Sequence, residues 1–406
     1  MPNALTESLA YPADRAAGCP FDPPPAYRTL QDEAPITRVR LWDGSTPWLV
    51  TRYADQRTLL GDPRLSADST NPAYPIASEA SRARQRAPLS FLVMDDPGHA
   101  RLRRMVTAPF AVKRVEALRP AIQQIVDRLI DDMLAGPNPA DLVQAFALPV
   151  PSLVICELLG VPYADHGFFQ ENSKMLMNRE APVEEVLAAQ QRLLDYLDDL
   201  VGRKIAEPDG ALLSRLVTER LDTGEPTRSE VAGMGLLLLF AGHETTSNMI
   251  ALGTAALLQH PGQLALLRGT GDPKVVAGAV EELLRYLTIN HQGRRRFALA
   301  DIEIGGQVVK AGDGVIMATD IGNRDPQAFP GNPDELDITR DARLHVAFGY
   351  GPHQCLGQPL ARVELQVVYS TLYRRIPSLR LATDLSAVPF KHQAGIYGVY
   401  ELPVTW

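Results

Sequence analysis

The 406-residue chain predicts a mainly α-helical protein with a small β portion. Three observations carry this expectation. Apolar residues recur at helical spacing almost without a break from 97 to about 290. Strand-type patterning is confined to a few short stretches. No repeat and no low-complexity linker divides the chain, so a single domain over 1–406 is expected.

Residues 1–35, rich in proline and polar side chains, predict an irregular N-terminal arm. ITRVRL and WLVTR flank the turn DGSTP and predict a hairpin over about 36–52. Residues 62–90 hold several Pro, Ser and Arg residues and predict a long loop. Helices are expected over 115–134, 183–205 and 228–258. The stretch 302–319 is broken at Gly305, Gly306 and Gly312, which predicts a second hairpin and a turn. Residues 360–376 return to helical spacing, and the last thirty predict short strands.

A net charge of -8 and a pI near 5.6 argue against a dedicated nucleic-acid binder. Three cysteines in so long a chain do not suggest a disulfide framework and fit a reducing, cytoplasmic setting. The first residues show no signal-peptide pattern, and the longest apolar run, 233–242, is too short to span a bilayer.

FGYGPHQCLG (348–357) carries the most chemistry. A metal-bound thiolate is a buried anion and needs compensating dipoles. A helix is expected just after Cys355, and the free amides at its start favour a negative sulphur. Gly349 and Gly351 suit positive φ in a tight loop, and Gly357 lets the helix approach a flat cofactor. Phe348 would shield the sulphur from water, and His353 would reach an acidic group of the cofactor. Two other readings stand beside this one: Cys355 as a hydrolase nucleophile with His353 as base, or as one ligand of a larger metal site. Cys156, within LVICELLG, reads as an inert buried residue.

AGHETT (241–246) falls late in an almost wholly apolar helix. Ala241 and Gly242 leave room for a planar cofactor. Glu244 followed by Thr245 is unusual there, because buried polar groups need partners or a task. A plainer reading bonds the Thr245 hydroxyl to a carbonyl one turn earlier. Glu282 and Arg285 stand at i, i+3, and His99 and Arg103 at i, i+4, each pair on one helix face.

The cysteine segment matches F-G-x-G-x-H-x-C-x-G at every fixed position and resembles the haem-binding loop of cytochromes P450. AGHET is similar to that family's distal-helix motif, (A/G)-G-x-(D/E)-T, and EELLR to its E-x-x-R. The resemblance implies the family's fold, with haem between a long distal helix and the proximal cysteine loop and helix. It implies haem b, iron protoporphyrin IX, as cofactor, Cys355 as iron ligand, and O2 as co-substrate. Glu244 and Thr245 would then manage protons, while His99, Arg103, Arg296 and His353 would meet the haem carboxylates. Arg294 and Arg295 are expected to be solvated surface charges. Glu282 and Arg285 would lock onto a basic residue, either Arg324 or Arg340.

The resemblance extends to the pocket and the partners. Leu92, Val93, Leu238, Ile289, His291 and Ile396 would line a site for an apolar small molecule. Arg82, Arg84 and Arg86 are expected to be a solvated run, with one contacting a polar substrate as the alternative. Other segments are similar to an actinobacterial branch that hydroxylates vitamin D, macrolides and foreign compounds. The chain has neither a dinucleotide fingerprint nor iron–sulphur spacing, so a separate electron donor is implied. In this family that donor is a ferredoxin with its reductase. Arg104, Lys113 and Arg114, in a stretch without acids, would face it. The expectation is a monomeric monooxygenase with no nucleic-acid or membrane partner. The alternative is a haem-thiolate sensor or carrier without turnover, against which the Glu244–Thr245 pair argues.

Overall fold

The helical spacing after residue 97 does produce helices. The computed structural model describes residues 9–406 except 14, 17, 80, 81, 83–90, 178–181, 219–225 and 393. The helix expected over 228–258 is Arg228–Gln259, 32 residues long. It opens on a reciprocal capping box. Glu230 Oε2 accepts from the Thr227 N–H at 2.8 Å, and Thr227 Oγ1 accepts from the Glu230 N–H at 3.2 Å. The helix expected over 183–205 is Val183–Ala206, with Glu184 and Glu185 in its first turn and Arg203 and Lys204 in its last. That order complements the helix dipole. The segment 115–134 is instead two helices, Val112–Ala117 and Arg119–Ala135. Pro120 lacks an N–H and is tolerated only in a first turn, so a new helix starts there.

The N-terminal arm departs from expectation. Residues Pro25–Glu33 form a helix that opens on proline and buries Tyr27, Leu30 and Gln31. Prolines that read as loop punctuation in the sequence serve here as a helix start.

The chain divides into two compact units. The first comprises residues 1–103, 252–358 and 384–400. Its five-stranded sheet runs Ile36–Arg38, Trp48–Val50, Gly314–Met317, Arg294–Ala298, Leu65–Ser66. The predicted 36–52 hairpin pairs Ile36 with Val50. Trp48–Val50 runs parallel to Val315–Met317, and the other pairs are antiparallel. Ile36, Val50, Leu59, Val315 and Met317 are part of a buried cluster in this unit. The predicted hairpin after Asp301 forms a separate ribbon of Ile302–Ile304 and Gln307–Val309.

The second unit comprises residues 104–251, 359–383 and 401–406. It is helical apart from a small antiparallel sheet, Ala140–Asp141, Pro403–Thr405, Arg380–Leu381. The helix Gln358–Arg375 buries Val363, Leu365, Val368 and Tyr369, and the Tyr369 hydroxyl donates to the Met249 carbonyl. Among the described residues no helix is long and apolar enough to cross a membrane.

Candidate active site

In the first unit, the cysteine loop is built by glycine. Gly349 and Gly351 both take φ +73°, as their placement predicts. A Cβ at 351 would strike the Leu60 carbonyl, and one at 349 would lie 2.9 Å from Arg294 Nε. The Cys355 N–H donates to the Phe348 carbonyl at 2.8 Å and closes the loop. Cys355 is exposed, and helix begins three residues later at Gln358, with Gly357 half-buried between them. Cys156 is the opposite case: buried, its thiol is pushed up to about 12 by loss of solvent.

Cations gather around this loop. The His99 ring lies 4.1 Å from that of His353, and His99 Nδ1 is 3.1 Å from Asp96 Oδ1. Arg103 donates to the Gln354 carbonyl, and its charge and that of Cys355 act on each other. Burial, then the neighbouring Arg296 and His99, hold His353 down to about 3. Arg296 is also held low by burial.

The expectation for Arg294 and Arg295 is overturned. Arg295 is buried, donates to the Pro75 carbonyl at 3.0 Å and lies over the Tyr11 ring. Arg294 donates to the Ala347 carbonyl at 2.9 Å, and burial pushes its guanidinium down to about 10. Alternation along the strand puts Arg294 and Arg296 on one face and Arg295 on the other. That period was available in the sequence: if Arg296 meets the cofactor, Arg294 shares its face.

These residues fit haem. Arg294 and Arg296 form no ion pair among the described residues, and a buried guanidinium without an anion is costly. Arg294 Nε and His99 Nε2 are buried with no hydrogen-bond partner among the described residues. Two cofactor carboxylates would supply what these groups lack.

In the second unit, Thr245 Oγ1 donates to the Ala241 carbonyl at 2.7 Å, the plainer of the two arrangements considered. Glu244 and Thr245 are half-buried, and Ala241 is exposed. A Cβ at Gly242 would lie 3.2 Å from Ile155, so its small size also serves helix packing. His243 Nε2 is 3.1 Å from the Leu148 carbonyl, a structural contact. Leu238 is buried.

Back in the first unit, the Glu282–Arg285 pair is wholly buried, and its partner is resolved. Arg340 Nε lies 3.4 Å from Glu282 Oε1. Arg324 instead donates to the Tyr286 carbonyl at 2.8 Å and lies over the Tyr286 ring. The sequence analysis missed Asn323, fully buried, whose carbonyl accepts from Arg285 at 2.8 Å and whose Oδ1 accepts from the Val346 N–H at 2.8 Å.

Of the expected pocket residues, the fold brings three together. The Tyr397 N–H donates to the Ile289 carbonyl at 2.8 Å, and Asn290 bridges Ile396. His291 is buried beside Tyr397, and burial, with the Arg15 charge, holds it down to about 4. Leu92 is exposed, and Val93 is half-buried. Arg82 pairs with Asp43 at 2.7 Å and lies over Trp42. Arg84 and Arg86 lie outside the described residues. Arg104, Lys113 and Arg114 are all exposed.

The family model of cytochrome P450 matches residues 274–376. Cytochrome P450 GfsF of Streptomyces halstedii is 55% identical over 98% of this chain and 96% of its own length. Pentalenic acid synthase of Streptomyces avermitilis is 49% identical over 99% of this chain and 98% of its own, and the vitamin D3 dihydroxylase of Streptomyces griseolus 46% over 99% and 98%. The crystal structure of GfsF superposes with a TM-score of 0.94, covering 98% of this chain and 100% of that one. Similarity of this extent, together with a cysteine loop ringed by buried cations, makes the chain a member of the cytochrome P450 family and one of its haem-dependent monooxygenases.

Proposed function

We propose that this chain hydroxylates an apolar small molecule of the macrolide, steroid-like or xenobiotic kind. It uses O2 and two electrons from a ferredoxin reduced by its reductase. The cofactor is haem b, and the protein works as a cytoplasmic monomer. The observation that carries the reading is the convergence of Arg103, Arg294 and Arg296 on the loop of one exposed cysteine, the last two forming no ion pair among the described residues. The relatives named for vitamin D3 and pentalenic acid support an apolar substrate.

Haem, when bound, supplies an iron centre at which O2 is reductively cleaved and one oxygen passes to substrate. Cys355 would hold that iron, with the charges of Arg103 and Arg294 acting on its sulphur. Arg103, Arg294 and Arg296 would neutralise the haem carboxylates, with the His99 and His353 rings beside them. Thr245 spends its proton on the Ala241 carbonyl, which leaves its oxygen free to accept a hydrogen bond. Glu244, half-buried on the next position, takes protons from solvent and delivers them inward. Leu92, Val93, Ile289 and Ile396 contribute apolar surface for substrate, and neutral His291 stiffens the wall behind the Asn290–Ile396 bridge.

The test is spectroscopic. Reduced, carbon-monoxide-treated protein should show the strongly red-shifted band of thiolate coordination, and Cys355→Ser should abolish it. A screen of macrolides, steroids and fatty acids for displacement of iron-bound water, followed by product analysis with ferredoxin and reductase, then names the substrate. No product from any compound that gives the spectral shift would defeat the hydroxylase reading.

A further inference from the structure

Immediately before Phe348 three polar groups of the main chain are held by side chains. The Val346 N–H donates to Asn323 Oδ1 at 2.8 Å. The Ala347 N–H donates to His345 Nδ1 at 3.2 Å. The Ala347 carbonyl accepts from Arg294 Nη2 at 2.9 Å. Three polar groups on two adjacent residues are therefore fixed by three separate side chains, and the Val346 carbonyl between them accepts from the Gly349 N–H at 2.8 Å.

Each of these residues is itself held. Asn323 is fully buried, and its Nδ2 donates to Thr288 Oγ1 at 2.8 Å. Its carbonyl takes Arg285 Nη1 at 2.8 Å, so the buried Glu282–Arg285 pair reaches the cysteine loop through one asparagine. The His345 side chain is 1% exposed, and its Nε2 lies 3.2 Å from Glu281 Oε2. Nδ1 accepts from the Ala347 N–H, so the other ring nitrogen faces that carboxylate. Arg294 threads past Gly349, where a side chain would meet its Nε and Cζ at 2.9 and 3.0 Å.

We propose that Asn323, His345 and Arg294 form a clamp on residues 346–347 and act as positioning residues for the iron ligand. The clamp sets Phe348, whose carbonyl receives the Cys355 N–H at 2.8 Å. Its target is the backbone that carries the sulphur, so loosening it lets the sulphur leave the iron while the helices stay folded. The Glu281 carboxylate, 3.2 Å from His345 Nε2, stands on the far side of the ring. Arg294 adds a positive charge that acts on Cys355 and would ease reduction of the iron. The inference rests on Cys355 as iron ligand.

The experiment uses haem-loaded full-length protein and follows, under a fixed denaturant challenge, conversion of the reduced carbon-monoxide complex from the thiolate band to the blue-shifted form that has lost it. His345→Ala is expected to convert roughly 10-fold faster. His345→Asn keeps an acceptor near the Nδ1 position and is expected to restore most of the wild-type lifetime. An alanine variant as slow as wild type, or an asparagine variant as fast as alanine, overturns the clamp. Should the alanine variant fail to fold, Arg294→Gln carries the test. It should convert faster and show a more negative iron reduction potential, and no change in either overturns the proposal. A wild-type protein without the thiolate band would instead remove Cys355 as ligand, a failure distinguishable from the first.

Discussion

Glu282 receives both Arg285 Nε and Arg285 Nη2, at 2.7 and 2.8 Å, and neither side chain is exposed. The remaining donors of Arg285 reach the carbonyls of Asn323 and Pro333 at 2.8 Å. A pair at i, i+3 on a helix surface contributes little. Buried, with every oxygen and nitrogen engaged across segments some fifty residues apart in sequence, the same pair becomes hard to breach. Arg285→Lys cannot reproduce the planar fork. It is expected to destabilise the protein by about 3–5 kcal/mol, the usual result of stranding one buried partner. Denaturant unfolding and haem content after purification check this, and a Lys variant of wild-type stability would refute it.

Thr245→Ala removes the hydroxyl while leaving the helix intact, because its bond to Ala241 duplicates what the helix already satisfies. Product formation is expected to fall on the order of 10²-fold, the scale of a lost proton-handling group. Oxygen consumption should continue, with the electrons appearing as peroxide. The ratio of product to oxygen consumed is the quantity to measure.

Lys113 and Arg114 are exposed at the start of Val112–Ala117, with Arg104 exposed one helix earlier. Reversing Lys113 and Arg114 to Glu should slow electron delivery from ferredoxin by roughly 10-fold at low salt and flatten its salt dependence. Reduction by dithionite should be unchanged. Equal loss with both reductants would place these residues in stability instead.

Glu364 sits fully buried on the helix Gln358–Arg375, and burial alone raises its carboxyl from 4.5 to about 8. The folded protein keeps this proton after the unfolded chain has released it. The stability contributed is complete at pH below about 4.5 and is lost as pH rises to about 8, at roughly 1.4 kcal/mol per unit. Glu364→Gln should lack this loss, so its advantage over wild type should grow across that interval and level off above it. Unfolding free energies of both proteins at several pH values decide the matter.

How much of this was legible in advance depended on the range of the interaction. The Cys355 loop could be read residue by residue because its conformational demands are local. Gly349 and Gly351 need positive φ, and the structure supplies it at both. The hairpin around 36–50 and the long helix from Arg228 were legible for the same reason: turn chemistry and apolar period act within a few residues.

Tertiary structure alone decided which arginine answers Glu282, since Arg324 and Arg340 are equally basic and only the path of the chain sets Arg340 beside it. It also sent Gly242 against Ile155, buried Arg294 and Arg295, and recruited Asn323 and His345 to hold two peptides. Residue type and spacing determine what a side chain can donate, accept or pack. Which partner it meets is settled by contacts between segments far apart in the chain, whose free energy no local pattern encodes.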